Sequence, residues 1–318
     1  MAKRRKRRSG LLSVVVPVYN EGENVNRCAD TIAGFLAGNK IRYEIIFVDD
    51  GSADDSWERI KLLNERDGNV FGVGFSRNFG KESAIIAGLA EASGECVVVI
   101  DCDLQHPPNK IVEMYGDWQD GYDVVEGVKS NRGKEGAIKK IGAKFFYSVM
   151  NSITRIDMSN ASDFKLLDKT VVSILLSMPE KDFFFRALSS WTGCKSIAIE
   201  YDVDDRRSGG SKWGVGKLAR YAISNITSFT TAPLQIITVL GVLSLVASIV
   251  IAIVAICNYS LGLSSDRINV LMVLICLMGG ILMIGLGVVG LYLAKVYEQV
   301  RGRPRYVINK RVIKNDKK

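Results

Sequence analysis

The sequence has little of the chemistry on which many enzymes and metal sites depend. Its only histidine is His106, which argues against imidazole metal clusters and against a Ser-His triad. Its six cysteines are scattered without a CxxC pair, so we expect reduced thiols in a protein that faces the cytosol, not a zinc site or a disulfide framework. The sequence also has no P-loop and no G-x-G-x-x-G pattern, which disfavours an ATPase or a dinucleotide-binding enzyme.

Positive charge is in excess and unevenly distributed. The formal net charge is +8, and basic residues concentrate in the first ten positions, between 206 and 220, and after 295. We do not expect the N-terminal run to be a signal peptide, because the apolar stretch after it is short and lacks a small-residue cleavage site. A nuclear signal or a nucleic-acid arm would also be basic, but beside two long apolar runs we expect a solvated tail or a contact with anionic lipid.

Two long stretches without a charged residue lie near the C-terminus, at 234–257 and 268–294. A bilayer core of about 30 Å requires about 20 apolar helical residues, so each stretch predicts a transmembrane helix. A buried core helix is the poorer alternative at this length. Basic residues flank the pair, whereas the short connection has only Arg267. The large N-terminal part and the C-terminal tail should therefore both be cytoplasmic.

The part of the chain before these stretches alternates between strand-like and helix-like patterns. Apolar, β-branched runs occur at 11–19, 43–50, 69–76, 96–103 and 122–128. Helical patterns separate the first four runs, at 24–38, 56–66 and 81–93. Such near-continuous apolar strands indicate an α/β fold with a parallel-type sheet that is covered by helices on both faces.

Polar residues follow four of these strands, at the sheet edge where α/β folds bind ligands. The candidates are Pro17, Tyr19 and Glu21 after the first strand, Asp49 and Asp50 after the second, Lys81 after the third, and Asp101, Asp103 and Gln105 after the fourth. Turn chemistry alone could explain any one group. Four groups together predict a single polar crevice.

The last of these groups has the donors of a cation site. Asp101, Asp103 and Gln105 offer only oxygen ligands, which suit Mg²⁺ or Mn²⁺. Two carboxylates so close together repel each other unless a cation or a proton lies between them. A cation there would bridge the phosphates of a nucleotide and neutralise charge on a departing diphosphate.

The strings VVVPVYNEGENV, VDDGSADDS, FSRNFGKESAIIAGL, DCDLQHPP and SDFKLLD resemble a family 2 glycosyltransferase with a GT-A fold. More narrowly, they are similar to the polyisoprenyl-phosphate glycosyltransferases, the branch of dolichol-phosphate mannose synthase and the bactoprenol glucosyltransferases. The resemblance covers nearly the whole chain, including the two apolar stretches. Processive members of family 2 carry a QxxRW box, which FFFRALSSWTG does not match, and this argues against a polymerase.

The resemblance also implies roles for individual residues. The base and ribose of a sugar nucleotide would be held by the groups after the first two strands, with Lys81 also facing the nucleotide. Asp163, in SDFKLLD, occupies the position of the family's acidic residue near the sugar. Many relatives have glycine where this chain has Ser162, so the local backbone could differ. In RRSGGSKW, Arg206 and Lys212 fit an R-x-x-G-x-S-K pattern and would grip phosphate of the donor or of the lipid, although membrane-surface charge alone would also explain them.

The implied organisation is a basic N-terminal tail (1–10), a cytoplasmic GT-A (nucleotide-diphospho-sugar transferase, Rossmann-like) domain (11–211), a juxtamembrane amphipathic segment (212–232), two transmembrane α-helices (233–295) and a basic cytoplasmic tail (296–318). The candidate catalytic residues are Asp103, Asp163 and Arg206. Whether Asp163 acts as a base or only positions substrate stays open at this point.

The expected function is metal-dependent, inverting transfer of glucose from UDP-glucose to undecaprenyl phosphate, at the cytoplasmic face of the bacterial inner membrane, for cell-envelope polysaccharides. The resemblance favours a homo-oligomer, and no nucleic-acid partner is expected. Other donors stay open: UDP-GlcNAc, GDP-mannose or a UDP-aminoarabinose derivative. So do a diacylglycerol or protein acceptor, and a non-enzymatic partner of a lipid-carrier flippase.

Overall fold

The computed structural model describes residues 8–129, 162–178, 185–186, 192–201, some residues between 239 and 257, and 267–312. The strands are β1 (Leu12–Val18), β2 (Tyr43–Asp49), β3 (Val70–Phe75), β4 (Cys96–Val99), β5 (Val124–Lys129), β6 (Lys165–Asp168), β7 (Ser196–Tyr201) and β8 (Ile308–Val312). The helices are α1 (Gly22–Gly38), α2 (Ser56–Arg66), α3 (Lys81–Glu91), α4 (Asn109–Gln119), α5 (Lys169–Ser177) and α6 (Arg267–Val300). The chain forms two compact units, Met1–Lys212 with Pro304–Lys318, and Trp213–Arg303.

The first unit is built on an eight-stranded sheet with the order β7-β5-β6-β4-β1-β2-β3-β8. Strands β4, β1, β2 and β3 run parallel to one another. Strand β2 lies on one side of β1 and β4 on the other, so the chain changes the direction in which it adds strands. Such a switch point leaves a crevice at the carboxyl ends of the two strands, here β1 and β4.

Alternating side chains of the central strands pack on opposite faces of the sheet. Phe47 of β2 belongs to the core cluster that contains buried residues of α1, α2 and α4. Its neighbours Ile46 and Val48 point the other way and pack with Ala84 and Ala87 of α3. Because each fully buried apolar side chain of this size contributes about 1.5–3 kcal/mol, both faces stabilise the sheet and fix its register. Helices therefore cover both faces, as the sequence predicted.

The sheet is not parallel throughout, which corrects the sequence-based expectation. Strand β6 is antiparallel to β4 and β5, and β8 is antiparallel to β3. Strand β6 has only four residues, too few to give a periodic signal. Strand β8 has the charged sequence INKRV and gains its order from tertiary contacts. Among them, Tyr306 stacks on Phe75 with ring centroids 5.0 Å apart, and Ser76 N donates to Val307 O at 3.0 Å.

The second unit contains α6, which includes the predicted apolar stretch 268–294. Within the described residues, one segment is long and apolar enough to cross a membrane, Leu277–Tyr297, and its residues are not buried. Of the other predicted span, 234–257, only scattered residues from 239 onward are described, and these are helical. The juxtamembrane segment 212–232 lies outside the described residues.

Candidate active site

A cavity of about 310 Å³ opens at the carboxyl ends of β1 and β4. The structure brings residues from all four predicted strand ends to its wall. They include Pro17, Tyr19, Glu21, Asp50, Lys81, Asp101 and Asp103. The cavity therefore lies at the switch point of the sheet, where the topology alone predicts a ligand site.

The carboxylate of Asp103 is presented to this cavity by a strained turn. Asp103 is exposed, and its Oδ1 accepts a hydrogen bond from the backbone N–H of Gln105 at 3.0 Å. Leu104 between them has φ 57°, a left-handed conformation that costs a non-glycine residue about 1 kcal/mol or more. Gln105 therefore contacts Asp103 through its backbone N–H, and it does not line the cavity wall.

Asp101 is held by two basic groups. Lys81 Nζ lies 2.6 Å from Asp101 Oδ1, and His106 Nε2 lies 3.5 Å from Asp101 Oδ2. Burial alone would raise the pKa of Asp101, but the Lys81 ammonium and His106 together hold it well below its usual range. His106 is itself buried, with its Nδ1 2.6 Å from the hydroxyl of Tyr201. Asp101 is therefore ionised at neutral pH.

Asp163 is buried beside the cavity and fully engaged by cations. Arg186 binds it through two nitrogens, with Nε 2.7 Å from Oδ1 and Nη2 2.9 Å from Oδ2. Lys81 Nζ adds a third contact to Oδ2 at 2.8 Å. Burial would raise the pKa of Asp163, but Arg186 and Lys81 lower it to about 2. A carboxylate with such a low pKa and with both oxygens bonded is a poor general base at neutral pH.

Lys81 consequently joins two carboxylates from different strand ends. Burial would lower its pKa, but Asp101 and Asp163 raise it above the ordinary value, so the amine stays protonated. Asp101, Lys81, Asp163 and Arg186 thus form a series of contacts, alternating in charge, that begins at the cavity wall. This arrangement fixes the two carboxylates relative to each other.

Asp50 positions the segment that precedes Lys81. Its carboxylate accepts the backbone N–H groups of Phe79 at 2.7 Å and Gly80 at 2.9 Å. Burial raises the pKa of Asp50, and these hydrogen bonds oppose that effect only in part. Asp49 is fully buried, does not line the cavity and accepts from Ser52 N at 3.0 Å.

Gly51 allows the loops after β2 and β3 to meet. Its φ is 70°, and a Cβ built on it would lie 2.4 Å from the backbone carbonyl carbon of Arg77. No side chain larger than hydrogen fits there without moving the loop. The glycine of the DDGS turn therefore has a steric role as well as a conformational one.

Three residues of this site were not singled out from the sequence: Arg186, His106 and Glu82. Arg186 lies in FFFRALSSWTG, which was compared only with the QxxRW box, and nothing in that string indicates a partner 23 positions earlier. Glu82 follows Lys81 in sequence and could have been found only as one of a few charged residues in a largely apolar helix. Arg206 and Lys212 lie outside the described residues.

The donor set fits a hard divalent cation that is shared with a substrate. Asp101 and Asp103 both line the cavity, and their oxygens are the ligands that Mg²⁺ and Mn²⁺ prefer. Within the described ranges no group of three or more His, Cys, Asp or Glu side chains could hold a metal by itself. Magnesium sites that use one or two carboxylates are completed by water and substrate phosphates.

Comparison with known proteins supports one family. Residues 13–173 match the model described as Glycosyl transferase family 2. A prophage bactoprenol glucosyl transferase homolog of Escherichia coli is 38% identical over 301 residues, which cover 94% of this chain and 98% of that protein. An uncharacterized glycosyltransferase of Synechocystis is 37% identical over 300 residues, 94% of each chain.

A solved structure, glucosyl-3-phosphoglycerate synthase of Mycobacterium tuberculosis with Mn²⁺, UDP and glucosyl-3-phosphoglycerate, superposes with a TM-score of 0.48 at 22% identity. The superposition covers 69% of this chain and 79% of that one. The structural similarity is too low to indicate a function. The matched family domain and the near full-length relatives lead to the same conclusion: the chain belongs to glycosyl transferase family 2.

Proposed function

We propose that the protein transfers a sugar from a nucleotide donor, UDP-glucose in the first place, to a polyisoprenyl phosphate such as undecaprenyl phosphate. The observation that carries the proposal is the joint placement of Asp101, Asp103 and Lys81 in one cavity at the switch point of the sheet. The near full-length similarity to a bactoprenol glucosyl transferase homolog supports the lipid acceptor.

The donor would lie across the carboxyl ends of β1 and β4. Pro17, Tyr19 and Glu21 line the side of the cavity after β1 and would contact the base and ribose. Tyr19 is half exposed, so its ring is free to cover a bound nucleotide. Asp50 and Asp49 would act on this part of the site mainly through the loops that they hold in place.

The diphosphate of the donor would lie near Asp101 and Asp103. These two carboxylates would hold Mg²⁺ or Mn²⁺, which when bound neutralises charge on the diphosphate. The turn at Leu104 presents Asp103 to the cavity before any ligand arrives, which lowers the cost of ordering the site. Lys81 keeps Asp101 ionised and therefore able to act as a ligand.

The reaction requires no general base. The phosphate of the acceptor is already ionised at neutral pH, so its oxygen can attack the anomeric carbon directly. The bond from that carbon to the diphosphate breaks, and its electron pair leaves with the nucleoside diphosphate. Because the chain need not accept a proton, we infer that Asp163 orients the sugar or the acceptor. Such in-line displacement inverts the anomeric centre.

The acceptor phosphate would be bound at Arg206 and Lys212, and the two apolar stretches would span the bacterial inner membrane with both termini in the cytoplasm. The exposed apolar surface of Leu277–Tyr297 supports the second of these spans. In this location the product would serve glycosylation of cell-envelope polysaccharides. We further propose that the protein assembles as a homo-oligomer, as the resemblance seen in its sequence implies.

The test is an assay of the full-length protein in detergent with undecaprenyl phosphate and separately radiolabelled UDP-glucose, UDP-GlcNAc and GDP-mannose, followed by lipid extraction. We expect lipid-bound label from one donor, loss of transfer in EDTA, and restoration by Mg²⁺ or Mn²⁺. Asp103→Asn should lower the rate about a hundredfold or more without unfolding the protein.

Asp30→Asn, at an exposed position of α1, is the matched control and should leave transfer unchanged. Absence of lipid-bound label with every donor would contradict the proposal and favour a non-enzymatic role. Full activity of Asp103→Asn, or of the native protein in EDTA, would refute the metal site but not the proposed sugar transfer.

A further inference from the structure

Two ionisable side chains away from the cavity wall, Glu82 and Lys165, hold the backbone of Phe185 and Arg186 from both sides. Glu82 Oε2 accepts the backbone N–H of Phe185 at 3.1 Å. Lys165 Nζ donates to the backbone carbonyl of Arg186 at 3.1 Å. Glu82 belongs to the first turn of α3 and Lys165 begins β6, so the dipeptide is tied to two separate elements of the sheet domain.

We propose that Glu82 and Lys165 are positioning residues for glycosyl transfer, which act by holding Arg186 so that its guanidinium keeps Asp163 in one orientation. This inference rests on the proposed function, because it assigns the two residues a part in that reaction. Neither residue is expected to touch substrate, since neither lines the cavity.

The burial of Lys165 indicates that this side chain has a bonding role. The side chain of Lys165 is fully buried, with its ammonium 3.0 Å from Glu126 Oε1. Burial lowers the pKa of Lys165, which reflects the cost of keeping a charge there. Packing alone would be served equally well by an apolar residue. A buried ammonium instead supplies several directed donors, and one of them fixes the Arg186 carbonyl.

The held dipeptide is connected to the cavity by a short series of contacts. Arg186 binds Asp163 through two nitrogens, Asp163 binds Lys81, and Lys81 binds Asp101 on the cavity wall. Lys81 and Glu82 are adjacent in α3. One helical turn therefore supplies both the cation between the two carboxylates and the acceptor that orders Phe185.

A pair of substitutions at one position separates the hydrogen bond from the volume of the side chain. Glu82→Leu removes the acceptor for Phe185 N–H, whereas Glu82→Gln keeps a side-chain oxygen there. We expect Glu82→Leu to lower kcat about ten- to a hundredfold, because small misplacements of a site are costly. The dissociation constant for UDP should change less than about twofold, and Glu82→Gln should recover most of the lost rate.

A double-mutant cycle tests whether Glu82 acts through Arg186. If it does, Glu82→Leu should cause little further loss in an Arg186→Ala background, because the group being positioned is already gone. A purely structural role predicts losses that multiply. Lys165→Met provides the same cycle from the other side of the dipeptide. Glu58→Leu, at an exposed position of α2, is the control and should alter neither rate nor binding.

Hydrogen exchange at the Phe185 amide measures how well Glu82 holds this backbone, without requiring the transfer reaction. In the substrate-free, full-length protein, the Phe185 amide should exchange about tenfold faster or more in Glu82→Leu, and near the native rate in Glu82→Gln. Unchanged exchange, multiplicative losses in the cycle, or a loss of UDP binding equal to the loss of kcat would each overturn the inference. If the native protein transfers no sugar but exchange responds as expected, the proposed function fails and the structural link stands.

Discussion

The ionisation of Glu82 should make the stability of this protein depend on pH in a way that one substitution removes. Burial raises the pKa of Glu82 from its ordinary 4.5 to about 7, and the neighbouring negative charge of Asp163 acts in the same direction. The folded protein therefore retains a proton that the unfolded chain releases above pH 4.5. Stability should fall as the pH rises from about 4.5 to about 7, and this contribution should be constant at higher pH.

Glu82→Gln cannot release this proton, so the variant should gain stability relative to the native protein across the same pH window. Each pH unit between the two pKa values is worth about 1.4 kcal/mol, which gives an upper value of about 3 kcal/mol. For a domain of this size, 1 kcal/mol shifts the melting temperature by about 2–4 °C. We therefore expect the variant to melt above the native protein at pH 8 by at most about 6–12 °C, and the advantage to shrink toward pH 4.5.

The assay is thermal unfolding of the full-length protein in detergent at half-unit steps from pH 4.5 to 8.5. Glu58→Gln, which replaces an exposed carboxylate on α2, should follow the native curve at every pH. Parallel curves for Glu82→Gln and the native protein would refute the reasoning, because they would mean that Glu82 ionises normally in the folded state. A variant that loses stability at high pH would show that the charge itself is stabilising.

Three further predictions follow from the site. Gly51→Ala should destabilise the protein by about 2 kcal/mol or more, measured by thermal unfolding, because its Cβ would collide with the backbone of Arg77. Lys81→Met should lower kcat more than a hundredfold and destabilise the protein by about 1–3 kcal/mol at pH 7, because two carboxylates lose their shared cation. Arg206→Ala should raise the apparent KM for the lipid acceptor, or lower kcat, by about ten- to a hundredfold, and Arg206→Lys should recover part of the loss. Separate titrations of donor and acceptor measure these effects. If Arg206→Ala weakens only donor binding, this arginine belongs to the site of the diphosphate.

Much of the cavity could be predicted from local patterns. Asp101 and Asp103 follow an apolar run, and Asp50 lies in a DDGS turn. These short sequence patterns are enough to predict that the three residues lie at strand ends. The carboxyl ends of parallel strands meet at one sheet edge, which brings these residues together without further information. The sequence does not show that Asp50 and Asp49, which are both buried, have different hydrogen-bond partners, or that Asp50 lines the cavity and Asp49 does not. That difference depends on how the loops pack, as at Gly51.

The amino-acid sequence by itself determined the alternating strand and helix pattern, the acidic strand ends, the long apolar stretch now seen in α6, and the family. These follow from periodicity, hydropathy and contiguous motifs, all of which involve residues close together in the chain. Only the tertiary structure decided that Arg186 binds Asp163, that His106 supports Asp101, and that β8 joins the sheet beside β3. Each of these contacts joins distant parts of the chain, or depends on where a side chain points, and no local pattern carries that information.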